Sequence, residues 1–182
     1  MATSLDFDEL NKLTRYAYNE WQKSEDKTID DLIDDYLDLL IMCFMFGNDD
    51  ANAELESDES VDDEYLVKVI EKKVADETWK ERIEKYAPVG DIEEIVRVIE
   101  TDGHRIYTDS KQHTATEAGA TKKKWLTMRD ESVRETHSYL EGMTVDINDR
   151  FYTFDGDSAL QPGDFTLAEN NVNCRCVLSY TK

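Results

Sequence analysis

His137, Cys174 and Cys176 are the residues of this 182-residue sequence whose types suit metal chemistry. Thiolates and imidazole favour zinc, and a Cys-x-Cys run can set both sulfurs around one ion, although it is less specific than paired Cys-x-x-Cys units. The competing reading is structural: His137 hydrogen-bonds the Cys174–Cys176 segment, and the thiols pack as small apolar groups. No other cofactor is suggested. Asp130, Arg134 and His137 make a second constellation. Their i, i+4, i+7 spacing predicts one face of a short helix, where an acid, a cation and a general base could meet. The same spacing suits plain anchoring, with Asp130 as N-cap, Arg134 paired to an acid and His137 half buried. Lys122, Lys123 and Lys124 form the basic cluster; on a strand, Lys123 points away from the other two, which makes a poor phosphate track. Lysines on a solvated edge strand, where they discourage edge-to-edge pairing, are the simpler reading. Trp125 reads as core. P-loop, G-x-G-x-x-G, G-x-S-x-G and H-E-x-x-H patterns do not occur. His104 and His113 fall on a polar helical stretch and suggest nothing further.

These residues must be positioned by the elements around them. Apolar residues at helical spacing predict an amphipathic helix from Leu5 to Trp21, with acids in its first turn where the helix dipole favours them. A second helix starts near Thr28 or Asp30, carries the stripe Ile29, Leu32, Ile33, Tyr36, Leu39, Leu40 and Cys43, and is expected to stop at Gly47. That stripe is read as the core of a helical hairpin; alternatively, Ile29, Leu32, Tyr36, Leu40 and Phe44 dock on another subunit. Asn48 to Asp63 is rich in acids and poor in large apolar residues, so it reads as a flexible loop and a boundary. The expected division is an acidic helical arm over 1–59 and a domain over 60–182. Within the latter, helices are predicted over about Ser60–Val74, Glu77–Tyr86 and Asp91–Thr116, the last interrupted near Gly103. After Gly119 the texture changes. Lys122–Met128, Met143–Val145, Phe151–Phe154 and Cys174–Tyr180 read as short strands, with a helix from Asp130 to Leu140 that ends at Gly142. The fold class expected is α+β: a mostly helical N-terminal two-thirds, then a small mixed unit with short antiparallel strands.

Asp and Glu outnumber Lys and Arg by 42 to 21, for a formal charge of −21. The first hundred residues carry 29 acids against 11 bases. Such a surface repels phosphate backbones, so strong nucleic-acid binding is not expected. It is read as a solvated helix face, or as a surface that meets a basic protein partner. No apolar run is long enough to span a membrane, and the start lacks the basic-then-apolar order of a signal peptide. Three cysteines, two of them separated by one residue, argue against a disulfide framework and agree with a reducing compartment. Cytoplasmic synthesis is the expectation.

Several separated pieces then fit one pattern. Lys123 and Trp125 give a Lys-x-Trp strand; Asp130, Val133, Arg134 and His137 follow, then Leu140 and Gly142, Phe151, Pro162 and Gly163, and a closing Asn173, Cys174, Arg175 and Cys176. In order and spacing this resembles the phage head morphogenesis domain of the phage Mu protein F type, found in minor head proteins of tailed bacteriophages. Glu77–Tyr86 and Arg97–Thr101 extend the resemblance over roughly residues 62–180. It implies a phage or prophage protein that joins the procapsid in few copies in the host cytoplasm and stays in the virion head. Its implied partners are the portal or the major capsid protein, and its implied role is in head morphogenesis and DNA packaging or ejection. It also implies a version with cysteines at the positions of Arg134 and His137, a four-ligand set that Arg134 cannot complete because it stays protonated. Two rival expectations are an enzyme, a nuclease or ADP-ribosyltransferase-like toxin using Arg134, His137 and Glu141, and a free helical binding module.

Overall fold

The computed structural model describes residues 6–74 and 76–182. The expected helix start at Leu5 lies outside them. Helix α1 (Phe7–Lys23) is capped by Asp6, which accepts from the amides of Asp8 and Glu9, and it buries Leu10, Thr14 and Tyr18. Helix α2 (Ile29–Leu55) starts in a capping box, in which Thr28 and Asp31 satisfy each other's free amides.

Gly47 does not end α2. A Cβ at this position would lie 2.2 Å from the Tyr107 carbonyl oxygen, so glycine here allows two helix backbones to touch rather than supplying a stop. The flexible acidic loop is therefore shorter than expected. Asn48 to Leu55 is helical, and Glu56 ends the helix in the left-handed region at φ 51°. Beyond it, the Asn52 side chain accepts from Ser57 Oγ and the Glu59 amide and donates to the Glu59 carbonyl. Local amide pairing gives this stretch the order that its composition did not suggest.

Helices α3 (Asp63–Ile70) and α4 (Trp79–Tyr86) follow, the latter capped by a Thr78–Glu81 box. Helix α5 (Ile92–Glu117) is continuous through Gly103, where a Cβ would press to 3.0 Å from Cys43 Sγ and Leu10 Cδ2. Both glycines serve close packing. Leu32, Tyr36, Leu40 and Phe44 are buried in the core that α2 shares with α1 and α3–α5, and Ile29 packs partly buried against it. They cannot form a docking face, because the neighbouring helices already cover them.

After α5 the chain enters a small unit. Strand β1 (Lys122–Leu126) pairs antiparallel with both β2 (Thr144–Asp146) and β5 (Val177–Thr181), giving the order β2-β1-β5. The lysine strand is thus central, not an edge. A two-residue ladder joins β3 (Phe151–Tyr152) to β4 (Ser158–Ala159), and α6 (Glu135–Ser138) and α7 (Ala168–Asn171) are single turns. Trp125, Leu140, Phe151, Phe165, Leu178 and Tyr180 fill a second core, to which Ala51 and Leu55 of α2 and Ala115 of α5 also belong. The architecture is α+β.

Candidate functional site

His137, Cys174 and Cys176 come together in the second core. All three are buried, and their donor atoms lie within 4.8 Å of one another. His137 Nδ1 is 3.4 Å from Cys176 Sγ and 3.6 Å from Cys174 Sγ. The ring is aimed by aromatic packing, stacked on Phe165 at 5.1 Å between centroids and set edgewise to Trp125 at 5.7 Å. Its Nε2 is buried without a protein partner, so the two sulfurs are its polar contacts.

Several residues fix the Cys-x-Cys segment. Asn173 takes φ 55°, a left-handed conformation that Asn adopts more readily than most residues. This turns the chain just before Cys174. The Arg134 guanidinium donates to the carbonyls of Asn170 and Val172, at 3.0 and 2.6 Å. Arg175 reaches outward to Asp130 at 2.7 Å. His104, on α5, bonds the Cys176 carbonyl through Nε2 at 2.8 Å. A carbonyl only accepts, so Nε2 carries the proton there. Burial, opposed by that bond, pushes His104 down to about 4, and the ring is neutral at physiological pH. Nothing in the sequence distinguished His104, because its partner is a backbone atom 72 residues away.

The loop that carries Asn170 is fastened by Asp157. One carboxylate oxygen accepts from the amides of Ser158 and Thr166, and the other from the Leu167 amide and Asn170 Nδ2. Burial raises the Asp157 pKa, but these four donors outweigh it and hold the carboxyl below the usual carboxylate value. At Pro162-Gly163, φ is 85° at the glycine, which lies against Arg105 of α5, and the Pro162 carbonyl accepts from Thr108 Oγ1.

The thiols differ. A hydrogen bond with Cys176, opposed by burial and helped by the Arg134 and Arg175 charges, lowers the Cys174 pKa; the same thiol pair and burial push Cys176 upward.

The predicted Asp130–Arg134–His137 helix face does not form. Arg134 occupies the N-cap position of α6 without a side-chain cap bond, and Asp130 lies upstream, its Oδ1 accepting from the Ser132 amide. An Asx turn consumed the carboxylate that was expected to cap. Nor do Arg134, His137 and Glu141 share a cleft: Glu141 accepts from the Thr127 amide and from Arg129, and it does not line the recess beside His137. The expected helix from Asp130 to Leu140 shrinks to α6, which Tyr139 closes, so Gly142, at φ 78°, ends the turn that follows rather than a helix. Lys123 is 1% exposed, its Nζ donating to the Leu160 carbonyl at 2.8 Å and lying over the Phe151 ring. Burial takes its pKa down to about 8.

The positions that shape this unit fall within a segment, residues 64–179, that matches the family described as phage Mu protein F like protein. The chain belongs to that family. Among curated relatives of this family member, the minor head protein GP7 of Bacillus phage SPP1 is 29% identical over 83 residues, 44% of this chain and 27% of the relative. A protein of Enterococcus faecalis named NAD(+)--arginine ADP-ribosyltransferase EFV is 39% identical over 85 residues, 44% of this chain and 17% of the relative. The chain thus spans between about a sixth and a quarter of the length of these relatives. No solved structure matches it.

Proposed function

We propose that this chain is a phage or prophage minor head protein, incorporated in few copies during procapsid assembly near the portal and assisting head morphogenesis and DNA packaging or ejection. The observation that carries the reading is the family match over residues 64–179, which the kinship to a phage minor head protein gives a role. The polar side chains of the C-terminal unit agree with a structural part: Arg134, Glu141, Asp157 and Lys123 are each engaged by backbone groups of the same unit. The portal or the major capsid protein is the proposed partner. The acid-rich outer faces of α1 and α2 are the proposed docking side, since the apolar stripe of α2 is buried. Among the described residues no helix is long and apolar enough to cross a membrane.

Co-expression with the neighbouring portal and major capsid genes, followed by sedimentation and mass spectrometry of the particles, tests this. Substoichiometric recovery in procapsids is expected. Recovery wholly in the soluble fraction would defeat the reading.

A second reading, arginine-directed ADP-ribosyl transfer, has in its favour the 39% identity to EFV, which involves 17% of that protein. Incubation with labelled NAD and an arginine-rich acceptor decides it. The minor-head reading predicts no label above a heat-treated control.

A further inference from the structure

We propose that His137 Nδ1, Cys174 Sγ and Cys176 Sγ bind one zinc ion, with a water as fourth ligand. The first argument is metrical. In a tetrahedral site with Zn–S about 2.3 Å and Zn–N about 2.05 Å, the nitrogen-to-sulfur edge is about 3.6 Å. The two edges here are 3.4 and 3.6 Å, and all three donor atoms lie within 4.8 Å of one another, so the spacing suits a single shared ion.

The second argument is the recess against which the three donors sit. It measures about 10 Å³ and is lined by Ser132, Val133, Arg134, His137, Cys174 and Cys176, among others. That is about the room one water needs. Three protein ligands plus one water complete a tetrahedron, and Arg134 is no fourth ligand: it stays protonated and is bound to two carbonyls.

The third argument concerns preorganisation. The imidazole is clamped between Phe165 and Trp125, Cys176 is held through His104, and Cys174 follows the left-handed turn at Asn173. A hydrogen-bonded thiol pair needs no such restraint; a coordination site gains affinity from it.

The chemistry balances without any redox partner. On binding Zn²⁺, the two thiols release their two protons to solvent, each sulfur donates a lone pair to the metal, and His137 coordinates through Nδ1 while Nε2 keeps the ring proton. The bound unit, a divalent cation with two thiolates, is neutral. That suits a buried position.

The test uses the full chain, purified without a polyhistidine tag after growth in zinc-supplemented medium. Elemental analysis by plasma mass spectrometry is expected to give about one zinc per chain. Removal with a chelator and titration with Co²⁺ is expected to give the sulfur-to-cobalt charge-transfer and tetrahedral d–d bands, saturating at one equivalent. Cys174→Ser and Cys176→Ser are expected to weaken Co²⁺ binding by more than about 100-fold, beyond the loss typical of groups that only orient a ligand. Lys123→Met, a buried change outside the ligand set, is expected to keep the stoichiometry. Because the cysteine variants could misfold, the wild-type titration stands alone: folded protein by near-UV circular dichroism with no zinc and no cobalt charge-transfer band overturns the proposal. So would cobalt binding that survives both cysteine substitutions.

Discussion

Helices α1–α5 bury continuous apolar stripes against one another, whereas the unit from β1 to β5 closes around strands of two to five residues whose loops are fastened by single polar side chains. In the helical part, buried polar groups gather along α5: Asp102, fully buried, accepts from Arg82 at 2.6 Å and Arg105 at 3.1 Å, and Thr108, Ser110 and Gln112 follow on the same helix. In the smaller unit, Asp157, Arg134 and Asn171 each fix backbone groups that regular pairing leaves free. Long elements distribute stability over many contacts, while short ones concentrate it in individual residues.

Breaking each region at its centre gives the largest effects. Trp125→Ala, which empties a fully buried site, is expected to cost about 3–5 kcal/mol. Near-UV circular dichroism should collapse while most of the far-UV helical signal survives. Asp102→Ala leaves Arg82 and Arg105 without their shared acceptor and is expected to cost about 3–5 kcal/mol by urea denaturation, with the helical signal lost in step.

Next comes the polar fastening. Asp157→Ala is expected to cost roughly 1–3 kcal/mol, because three part-buried amides and the buried Asn170 side chain lose their acceptor, and hydrogen exchange should accelerate at Thr166 and Leu167 first. Since the Asp157 pKa is depressed in the fold, its contribution is present above the ordinary carboxylate pKa and disappears as pH falls through the folded value. The gap between wild type and variant should close on acidification.

Lys123 has the opposite history: its folded pKa is depressed to about 8 from 10.5, so the unfolded chain holds the proton more tightly. Stability relative to Lys123→Met should therefore rise with pH between about 8 and 10.5, by about 2–3 kcal/mol. Paired thermal melts at pH 7 and 10 check this, and a flat difference contradicts it. The smallest effect belongs to the surface. Arg15→Ala removes the exposed pair with Glu93 and should cost less than about 1 kcal/mol, vanishing in high salt.

This contrast also explains what could be read from the sequence. The amphipathic periods placed α1, α5 and the start of α2 to within a few residues, because the stripe that signals a helix is the same stripe that packs, whereas α2 runs on past its expected stop to Leu55. Gly47 and Gly103 misled, since a stop and a close helix contact both demand a missing Cβ and only the neighbour tells them apart. In the C-terminal unit the residue types were legible and their partners were not. His137, Cys174 and Cys176 could be grouped on chemistry alone, but Asp130 was assigned a cap that a local turn pre-empted, and Lys123 a solvated edge that β5 covers. The two-residue strand β4 has too little pattern to announce itself, and the role of His104 depends on a carbonyl that no side-chain code records.

Strand β5 pairs with β1, and the Tyr180 amide also donates to Glu54 Oε1 across 126 positions of sequence. Closing so wide a loop is slow compared with winding helices from near neighbours. The order of events during synthesis follows: α1 to α5 can collapse while β5 is still inside the ribosome, and β1 stays unpaired on that side until Val177–Thr181 emerges. For that interval the nascent protein exposes the apolar seat of Leu178 and Tyr180, the moment at which a chaperone would be needed most.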